Sequence, residues 1–329
     1  MEAGSVASDL ARTSPLGSTR HRSDRLGDRG LLVVAGLATG LAMLVIALII
    51  WKVFQGSWLA IRHFGIGFVW ASTWNPVTDV YGARQYIIGT IVASFGAMLI
   101  AAPLAIAIGL FLTELAPQTI RAIVGPLVEM LAAVPSIVYG FWGLVVLVPF
   151  INGLEPGLHS ALGFLPIFGP ASPVGISVFT AGLVLTVMIL PIISALSRDL
   201  FLTVPADLKD GAEALGATRW EVIRGIVLPS TASGVGAAVM LGLGRALGEA
   251  IAVSFVIGDV TQIHASLFDP GSSIAAQIAN DFLGAVNPLE TASLFYIGFI
   301  LVVIAMLTSI AARGIAGRFD VSAGMLAKP

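Results

Sequence analysis

Six long apolar runs decide what this chain can fold into. An α-helix needs about 20 residues to cross the hydrocarbon core of a bilayer, and each run is long enough to do so. Pro103, Pro135, Pro149 and Pro191 fall within the runs or at their ends. Such breaks persist in a bilayer only where neighbouring helices or a cavity satisfy the freed backbone. The sequence therefore predicts an all-α polytopic membrane protein with six transmembrane helices bundled around a pathway. The runs cover residues 31–54, 86–112, 122–150, 173–197, 230–258 and 289–312.

The composition excludes several classes of protein. With 57% hydrophobic and 11% charged residues and a mean hydropathy of +0.96, the chain is not a soluble globule. Its basic residues are scattered, which argues against nucleic acid as a partner. The sequence contains no cysteine, and its histidines lie far apart, so no metal and no other cofactor is expected. The four histidines are His21, His63, His159 and His264.

Catalytic motifs are missing from the sequence. It has no G-x-x-x-x-G-K-[ST] loop, no G-x-S-x-G elbow and no H-E-x-x-H pair. The stretch G-L-G-R-A-L-G at 242–248 is close to a dinucleotide fingerprint, but its third glycine comes one residue late and it lies inside an apolar run. We therefore expect a protein that is not an enzyme.

The pattern divides the chain into five parts. Residues 1–30 are rich in Ser, Gly and Arg and are predicted to be a disordered tail. The run that follows is too long for a signal peptide, so it is a retained span. Trp and Tyr among polar residues then indicate an interfacial segment. The parts are the tail 1–30, the first transmembrane helix 31–54, an external segment 55–85, a five-helix domain 86–312 with a loop at 199–229, and a C-terminal tail 313–329.

The distribution of Lys and Arg predicts the orientation. The tail carries five, the 113–121 loop one, the segment from Arg198 to Pro229 four, and the residues after 312 three. The loops 151–172 and 259–288 carry none. Basic loops stay in the cytoplasm. Both termini are therefore predicted to be cytoplasmic, and the two loops without Lys or Arg are predicted to be external. Asp259, Asp269 and Asp281 in the last loop offer a surface to a soluble partner.

The polar stretch 210–229 predicts two short helices separated by a turn. Asp210 to Leu215 can form a helix, and Gly216 is suited to a left-handed stop. Thr218 and Glu221 have the spacing of a capping box that restarts the helix. Trp220, Ile223 and Val227 then fall on one face. Pro229 stands where the next helix begins, at a position where its missing N–H costs little.

Two charges inside the run 230–258 predict a functional pathway. Arg245 lies near its middle, and Glu249 follows four residues later, on the same face of a continuous helix. Intramembrane charges usually mark a path, and guanidinium matches the oxygens of a phosphate. The alternative is an Arg–Glu pair that only holds helices together. Ser136 and Tyr139 could donate hydroxyls along the same path or simply pack, and Glu129 is expected at a helix interface.

The loop resembles the EAA signature of ATP-binding-cassette importer permeases. Asp and Gly replace the first two residues of the signature, whereas the spacing from its glycine to its final proline is intact. The resemblance implies a type I importer permease fold in which this loop forms cytoplasmic coupling helices that rest on an ATPase subunit, with the contact in 205–229. The residues that carry the signature are Asp210, Gly211, Ala212, Gly216, Ile226, Leu228 and Pro229.

Three further stretches resemble the permeases of phosphate importers. They are V-P-S-I-V-Y-G-F-W-G-L from Val134, G-L-G-R-A-L-G-E-A from Gly242, and W-N-P at 74–76 with Tyr81-Gly82-Ala83, which favours the PstC type over the PstA type. The similarity runs from about residue 31 to 319. It implies a bacterial plasma-membrane subunit that imports inorganic phosphate. Its implied partners are a second, PstA-like permease, two PstB-like ATPases, an external PstS-like phosphate-binding protein and membrane lipid.

Two other interpretations compete with a phosphate importer. The chain could be a permease of the same superfamily for another solute, such as sulfate or an amino acid, which anion competition in uptake assays would separate. It could also be a secondary transporter, which would need no docking loop and would follow an ion gradient.

Overall fold

The computed structural model describes residues 22–170, 172–262 and 265–316, with side chains described from residue 30 to residue 314 of these ranges. Residues 1–21 of the predicted N-terminal tail and residues 317–329 of the predicted C-terminal tail lie outside these ranges. Within the described residues every named element is helical, apart from two isolated β-bridges. Three π-helical turns, Phe111–Leu115, Gly143–Leu147 and Ile223–Val227, interrupt or extend the α-helices. The α-helices are α1 (Arg22–Phe64), α2 (Gly67–Trp70), α3 (Arg84–Leu110), α4 (Gln118–Ala132), α5 (Ser136–Trp142), α6 (Val148–Leu162), α7 (Val178–Leu202), α8 (Ala206–Ala214), α9 (Arg219–Val222), α10 (Leu228–Leu247), α11 (Ile251–Ser254), α12 (Ile274–Asp281) and α13 (Pro288–Ala316).

Six helical segments of the described chain are long and apolar enough to cross a membrane, which confirms the predicted number of spans. Because π-turns join neighbouring α-helices, some spans contain more than one of them. The spans are Gly30–Phe64, Arg84–Leu115, Ser136–Leu162, Val178–Leu202, Arg219–Leu247 and Pro288–Gly314.

The boundaries of the first span differ from the prediction. Helix α1 begins at Arg22 rather than at residue 31 and continues to Phe64 rather than ending at 54. No proline interrupts residues 22–64, so backbone hydrogen bonding extends past the apolar core at both ends. By internal contacts the chain divides into the units Met1–Lys52 and Val53–Pro329, and the boundary falls inside α1.

The third and fifth apolar runs are each broken by an irregular segment. The run 122–150 is divided at Val134 and Pro135, so that α4 is a separate helix and the span begins at Ser136. A residue before proline avoids the helical conformation, which explains the break. The helix continues to Leu162, so half of the predicted loop 151–172 is helical. The run 230–258 is divided after Leu247, where Gly248 ends α10.

Two π-turns directly precede the prolines of a continuing helix. Gly143–Leu147 comes before Pro149, and Ile223–Val227 comes before Pro229. Proline removes one backbone donor and its ring crowds the carbonyl four residues earlier, and a π-turn widens the helix there. As predicted, Pro229 lies in the first turn of α10, but the helical path runs on from α9 without a break.

The bundle is built around close packing of α3 against α7. Ala93, Ala97, Ala101 and Ala105 form a buried stripe at four-residue spacing along α3. Buried side chains of α7, most of them larger than alanine, fill the space opposite this stripe. The small residues of α3 allow the two helices to approach closely. The residues of α7 in this core are Ala181, Val184, Leu185, Met188, Ile189 and Ile193.

The Trp and Tyr residues of the predicted external segment 55–85 divide into a buried group and an exposed group. Trp74, Tyr81 and Tyr86 are buried together, with the ring of Trp74 4.9 Å from that of Tyr81 and 5.3 Å from that of Tyr86. Trp58 and Trp70 are exposed. Other hydrophobic residues of the same cluster pack around the three buried rings. These contacts come from distant parts of the chain, so a sequence pattern does not reveal them.

Candidate functional site

The stretch 206–222 forms two short helices joined by a tight turn. Gly216 has φ of +91°, as predicted for a left-handed stop. The N–H of Gly216 donates to the carbonyl of Glu213 at 2.9 Å, and that of Ala217 donates to Ala212 at 3.1 Å. These two bonds form a Schellman motif, which requires the left-handed residue at this position. The turn therefore depends on glycine at 216.

A reciprocal cap starts the second helix, as predicted. The N–H of Thr218 donates to a carboxylate oxygen of Glu221 at 2.7 Å, and the N–H of Glu221 donates to the hydroxyl oxygen of Thr218 at 3.4 Å. Both bonds of a capping box are present. The turn and cap together fix the angle between α8 and α9.

Three signature residues hold the loop against the bundle. Ala212, Ile226 and Leu228 pack against an apolar cluster that contains the buried residues Val222 and Val227. The signature residues Asp210, Gly211, Gly216 and Pro229 are exposed. The motif thus combines positions that anchor the loop with positions that face outward.

The outward side of the loop is apolar at two points. Leu215 at the turn is 92% exposed and Trp220 on α9 is 64% exposed. The prediction that Trp220 shares a face with Ile223 and Val227 is wrong, because the latter two are buried whereas α9 projects Trp220 beyond the cluster. Exposed large apolar side chains on a polar loop are typical of a protein contact surface.

An ion pair that the sequence analysis missed connects this loop to the second span. The ammonium of Lys209 on α8 donates to Glu114 in the π-turn that ends α3. Both residues, with Asp210, Glu213 and Arg219, line a polar pocket of about 190 Å³. Glu114 at the end of an apolar run was a visible signal, but its partner lies 95 residues away and no local pattern identifies it.

Arg245 and Glu249 do not form the expected pair on one helical face. Arg245 is exposed in the last turn of α10, at the end of the span Arg219–Leu247 rather than near its predicted middle, because the helix stops at Gly248. Glu249 follows the end of the helix and is buried. The carboxylate of Glu249 accepts a hydrogen bond from the N–H of Ala252 at 3.1 Å and so caps α11. Within the described residues no ion pair joins them or engages Arg245 at all.

The helix break beside Arg245 lies within the bundle. Ala252, Val253 and Val256, just after the break, are buried in the same core as α3 and α7. Gly140 of the third span approaches so closely that a Cβ there would lie 2.7 Å from the Cα of Ala252. Irregular backbone at such a depth is tolerated where it lines a cavity or is covered by protein. The described part of the chain thus presents the Arg245 guanidinium without an ion pair, next to a discontinuous helix.

Ser136 and Tyr139 have different surroundings. The buried Tyr139 hydroxyl donates to the carbonyl of Leu131 at 2.8 Å, which links the first turn of α5 to α4. Ser136 opens α5 after Pro135 and is half-buried, and no hydrogen bond of its hydroxyl is found in the described part of the chain. The Tyr139 hydroxyl is thus engaged in a hydrogen bond between two helices, whereas the Ser136 hydroxyl has no hydrogen bond among the described residues.

Glu129 lies where the sequence predicts, at a helix interface. Its carboxylate on α4 pairs with Arg198 on α7, which also contacts Asp199 at 2.9 Å. Among the described residues no group of three His, Asp or Glu side chains is arranged to hold a metal ion.

Comparison with known proteins gives consistent matches over most of the chain. Residues 101–321 match the family model described as binding-protein-dependent transport system inner membrane component. A phosphate transport system permease protein PstC of Pasteurella multocida is 48% identical over 265 residues, 79% of this chain and 82% of that protein. One from Mesorhizobium japonicum is 46% identical over 279 residues, 83% and 85% of the two chains.

A solved structure shares the fold. The crystal structure of a bacterial alginate ABC transporter, in complex with its alginate-bound periplasmic protein, contains a chain that aligns with a TM-score of 0.59. The alignment covers 92% of this chain and 99% of that one at 19% identity. The predicted six-helix importer permease fold is thereby confirmed.

Proposed function

The chain belongs to the family of binding-protein-dependent transport system inner membrane components, and on that premise we propose that it is a permease subunit of an ATP-driven importer of inorganic phosphate. The observation that carries this proposal is the docking loop with its signature intact from Gly216 to Pro229. The names of relatives at 46–48% identity point to phosphate as the solute.

The loop is the proposed contact with the ATPase. Leu215 and Trp220 would enter a groove on the ATPase, and the Schellman turn would hold them at a fixed angle. The polar exposed positions around them suit a contact that forms and adjusts during a cycle. In this scheme hydrolysis takes place in separate subunits and the permease itself catalyses no reaction.

The other partners follow from the same proposal. A second permease, PstA-like, would complete the pathway, and two PstB-like ATPases would sit below the pair. A PstS-like binding protein would deliver phosphate from outside the bacterial plasma membrane. Both termini and the docking loop would then be cytoplasmic, as the distribution of Lys and Arg indicates.

Arg245 is the proposed anion contact of the pathway. A dehydrated phosphate needs positive charge, and guanidinium supplies it with two parallel donors and without losing its proton. Arg245 suits this role because no carboxylate in the described chain neutralises it. Ser136, with its uncommitted hydroxyl, is a second contact, while Tyr139 and Glu249 would hold α5 and α11 in position.

Reconstitution tests the proposal directly. The permease, expressed with its second permease and ATPase, should take up radiolabelled phosphate into proteoliposomes only with ATP and the binding protein present. Excess sulfate should not compete. Uptake driven by an ion gradient without ATP would contradict the proposal, and competition by sulfate would point to a different anion.

A further inference from the structure

The ion pair between Lys209 and Glu114 is shielded from water. The side chains are only 19% and 14% exposed, although both residues lie at the end of the bundle that carries the docking loop. A pair in such surroundings is hard to break, because separating the partners leaves one charge uncompensated. Lys209 and Glu114 therefore keep α8 and the π-turn Phe111–Leu115 together when either one moves.

Among the polar contacts of the described residues, the ion pair is the one that ties the side chains of α8 to α3. None of its residues is buried, and Ala212 is the member that packs against the apolar cluster. Helix α9, in contrast, continues through a π-turn into α10 and moves with that span. The two docking helices thus reach the bundle by different connections: α9 continues into α10, whereas α8 is joined to α7 through residues 203–205 and to the end of α3 by the ion pair.

The span that ends at Glu114 reaches the opposite end of the bundle. From Thr90 to Glu114 a helical rise of 1.5 Å per residue gives about 36 Å, which exceeds the hydrocarbon thickness of a bilayer. At the far end the hydroxyl oxygen of Thr90 accepts from the N–H of Ile274 at 2.9 Å, and both groups are buried. A Cβ at Gly89 would lie 2.0 Å from the carbonyl oxygen of Ser272, so the two backbones touch.

The segment held there leads back to the helix break beside Arg245. The N–H of Gly271 donates to the carbonyl of Ile257 at 2.9 Å, and the N–H of Val260 donates to Gly271 at 3.1 Å. Ile257 is buried and follows α11 by three residues. One continuous set of contacts therefore runs from α8 through α3 to the irregular segment 248–257.

We propose that Lys209 and Glu114 are positioning residues that transmit movement of the docking helix α8 through α3 to the segment 248–257 beside Arg245. This inference rests on the proposed function, because it concerns how ATPase movement reaches the pathway. The pair itself contacts neither nucleotide nor phosphate.

The test uses the complete transporter in proteoliposomes and measures ATP hydrolysis and phosphate uptake side by side. Glu114→Gln, outside the docking helices, should leave assembly and basal hydrolysis intact while abolishing the stimulation of hydrolysis by the phosphate-loaded binding protein. Lys209→Met, on the docking helix itself, should lose the same stimulation. Uptake should fall at least about tenfold, since an uncompensated buried charge releases α8 from the π-turn. The exchange Glu114→Lys with Lys209→Glu should restore stimulation in part, because Asp210 and Glu213 line the same pocket and repel the new carboxylate.

Glu129→Gln is the control, at a more exposed ion pair. It removes the carboxylate of another interhelical ion pair, with Arg198, that does not involve the docking loop, and it should keep stimulation and uptake. Single variants at 114 and 209 that couple as well as Glu129→Gln would overturn the inference. A wild-type complex without any stimulation by the binding protein would instead refute the proposed function.

A cysteine pair covers the case in which the single variants fail to assemble. The natural sequence has no cysteine, so Glu114→Cys with Lys209→Cys can be joined by a short thiol-specific cross-linker without background. The cross-linked transporter should regain stimulated hydrolysis and uptake, and cleavage of the linker should remove both. Equal coupling before and after cross-linking would overturn the inference.

Discussion

Arg245 is the residue on which selection of an anion depends in the proposed mechanism. We expect Arg245→Gln to reduce phosphate uptake on the order of a hundredfold, because the anion loses a charge-assisted hydrogen bond together with the positive charge. Arg245→Lys should retain part of the activity, since the charge stays while the two-pronged geometry is lost. The measurement is uptake by the reconstituted complex, with Arg62→Gln, an exposed arginine stacked on Trp58, as a control that keeps full activity.

Glu249 separates a pathway role of Arg245 from a structural one. Glu249→Gln keeps an oxygen that can accept from the N–H of Ala252, so we expect the complex to assemble normally. If Arg245 serves the anion, the double change to Gln at both positions stays inactive in the uptake assay. Recovery of uptake in the double variant would show that the two charges matter only to each other.

The carboxyl of Asp281, the last residue of α12, leads us to predict that the stability of the fold depends on pH. Burial, and then the neighbouring charges of Asp259 and Glu290, raise the pKa of this carboxyl above its usual value of 3.8, against the hydrogen bond from Gln277. A raised pKa means that the folded protein binds the proton more tightly than the unfolded chain. Asp281 therefore contributes stability below its usual pKa, and this contribution is lost as pH rises through the raised value.

Asp281→Asn tests this assignment, because the amide cannot ionise. The thermal unfolding midpoint of the purified protein should become less dependent on pH above the usual carboxyl pKa of 3.8. At neutral pH the variant should be as stable as the natural protein or more so. Asp207→Asn, on the exposed first turn of α8, is the control, and an unchanged pH profile for Asp281→Asn would contradict the assignment.

At the scale of elements, the turn between α8 and α9 offers a comparison of two glycines. A Cβ would meet no atom within 4 Å at either Gly211 or Gly216, so the positions differ in backbone conformation rather than in space. Gly211 lies in a helix, whereas Gly216 has φ of +91°. Alanine should stabilise the helix by about 1 kcal/mol at 211 and strain the turn by about 1–2 kcal/mol at 216.

The expected outcome is a difference in coupling. Gly211→Ala should keep phosphate uptake and ATP hydrolysis linked, whereas Gly216→Val should leave an inserted protein with reduced uptake per ATP hydrolysed, because a β-branched residue adopts positive φ poorly. Cysteines introduced between 208 and 222 should cross-link to the ATPase in the natural background. Equal coupling in the two glycine variants would show that the turn geometry is not required.

Local signals explain why the docking loop could be predicted so closely. The stop at Gly216, the capping box at Thr218 and the position of Pro229 each depend on a few adjacent residues. The sequence marks Pro135 as a break but does not predict that α4 becomes a separate helix, and the break at Gly248 was not predicted, because uniform hydrophobicity hides where a buried helix is interrupted. The partners of Lys209 and Glu249 depend on the fold, since the ion pair with Glu114 joins distant segments and the Glu249 cap exists only because α10 ends early.

At the scale of the whole molecule, the orientation in the membrane remains a prediction, and single cysteines can test it in a chain that has none of its own. Thr119 lies at the end of the bundle near the docking loop, and Phe164 and Leu283 lie at the other end; all three are exposed. The basic segments predict that Thr119 faces the cytoplasm. Phe164→Cys and Leu283→Cys should therefore react with a membrane-impermeant maleimide in right-side-out vesicles, and Thr119→Cys only in inverted ones. Reaction of Leu283→Cys only from the cytoplasmic side would reverse the orientation and would also remove the docking loop from the reach of a cytoplasmic ATPase.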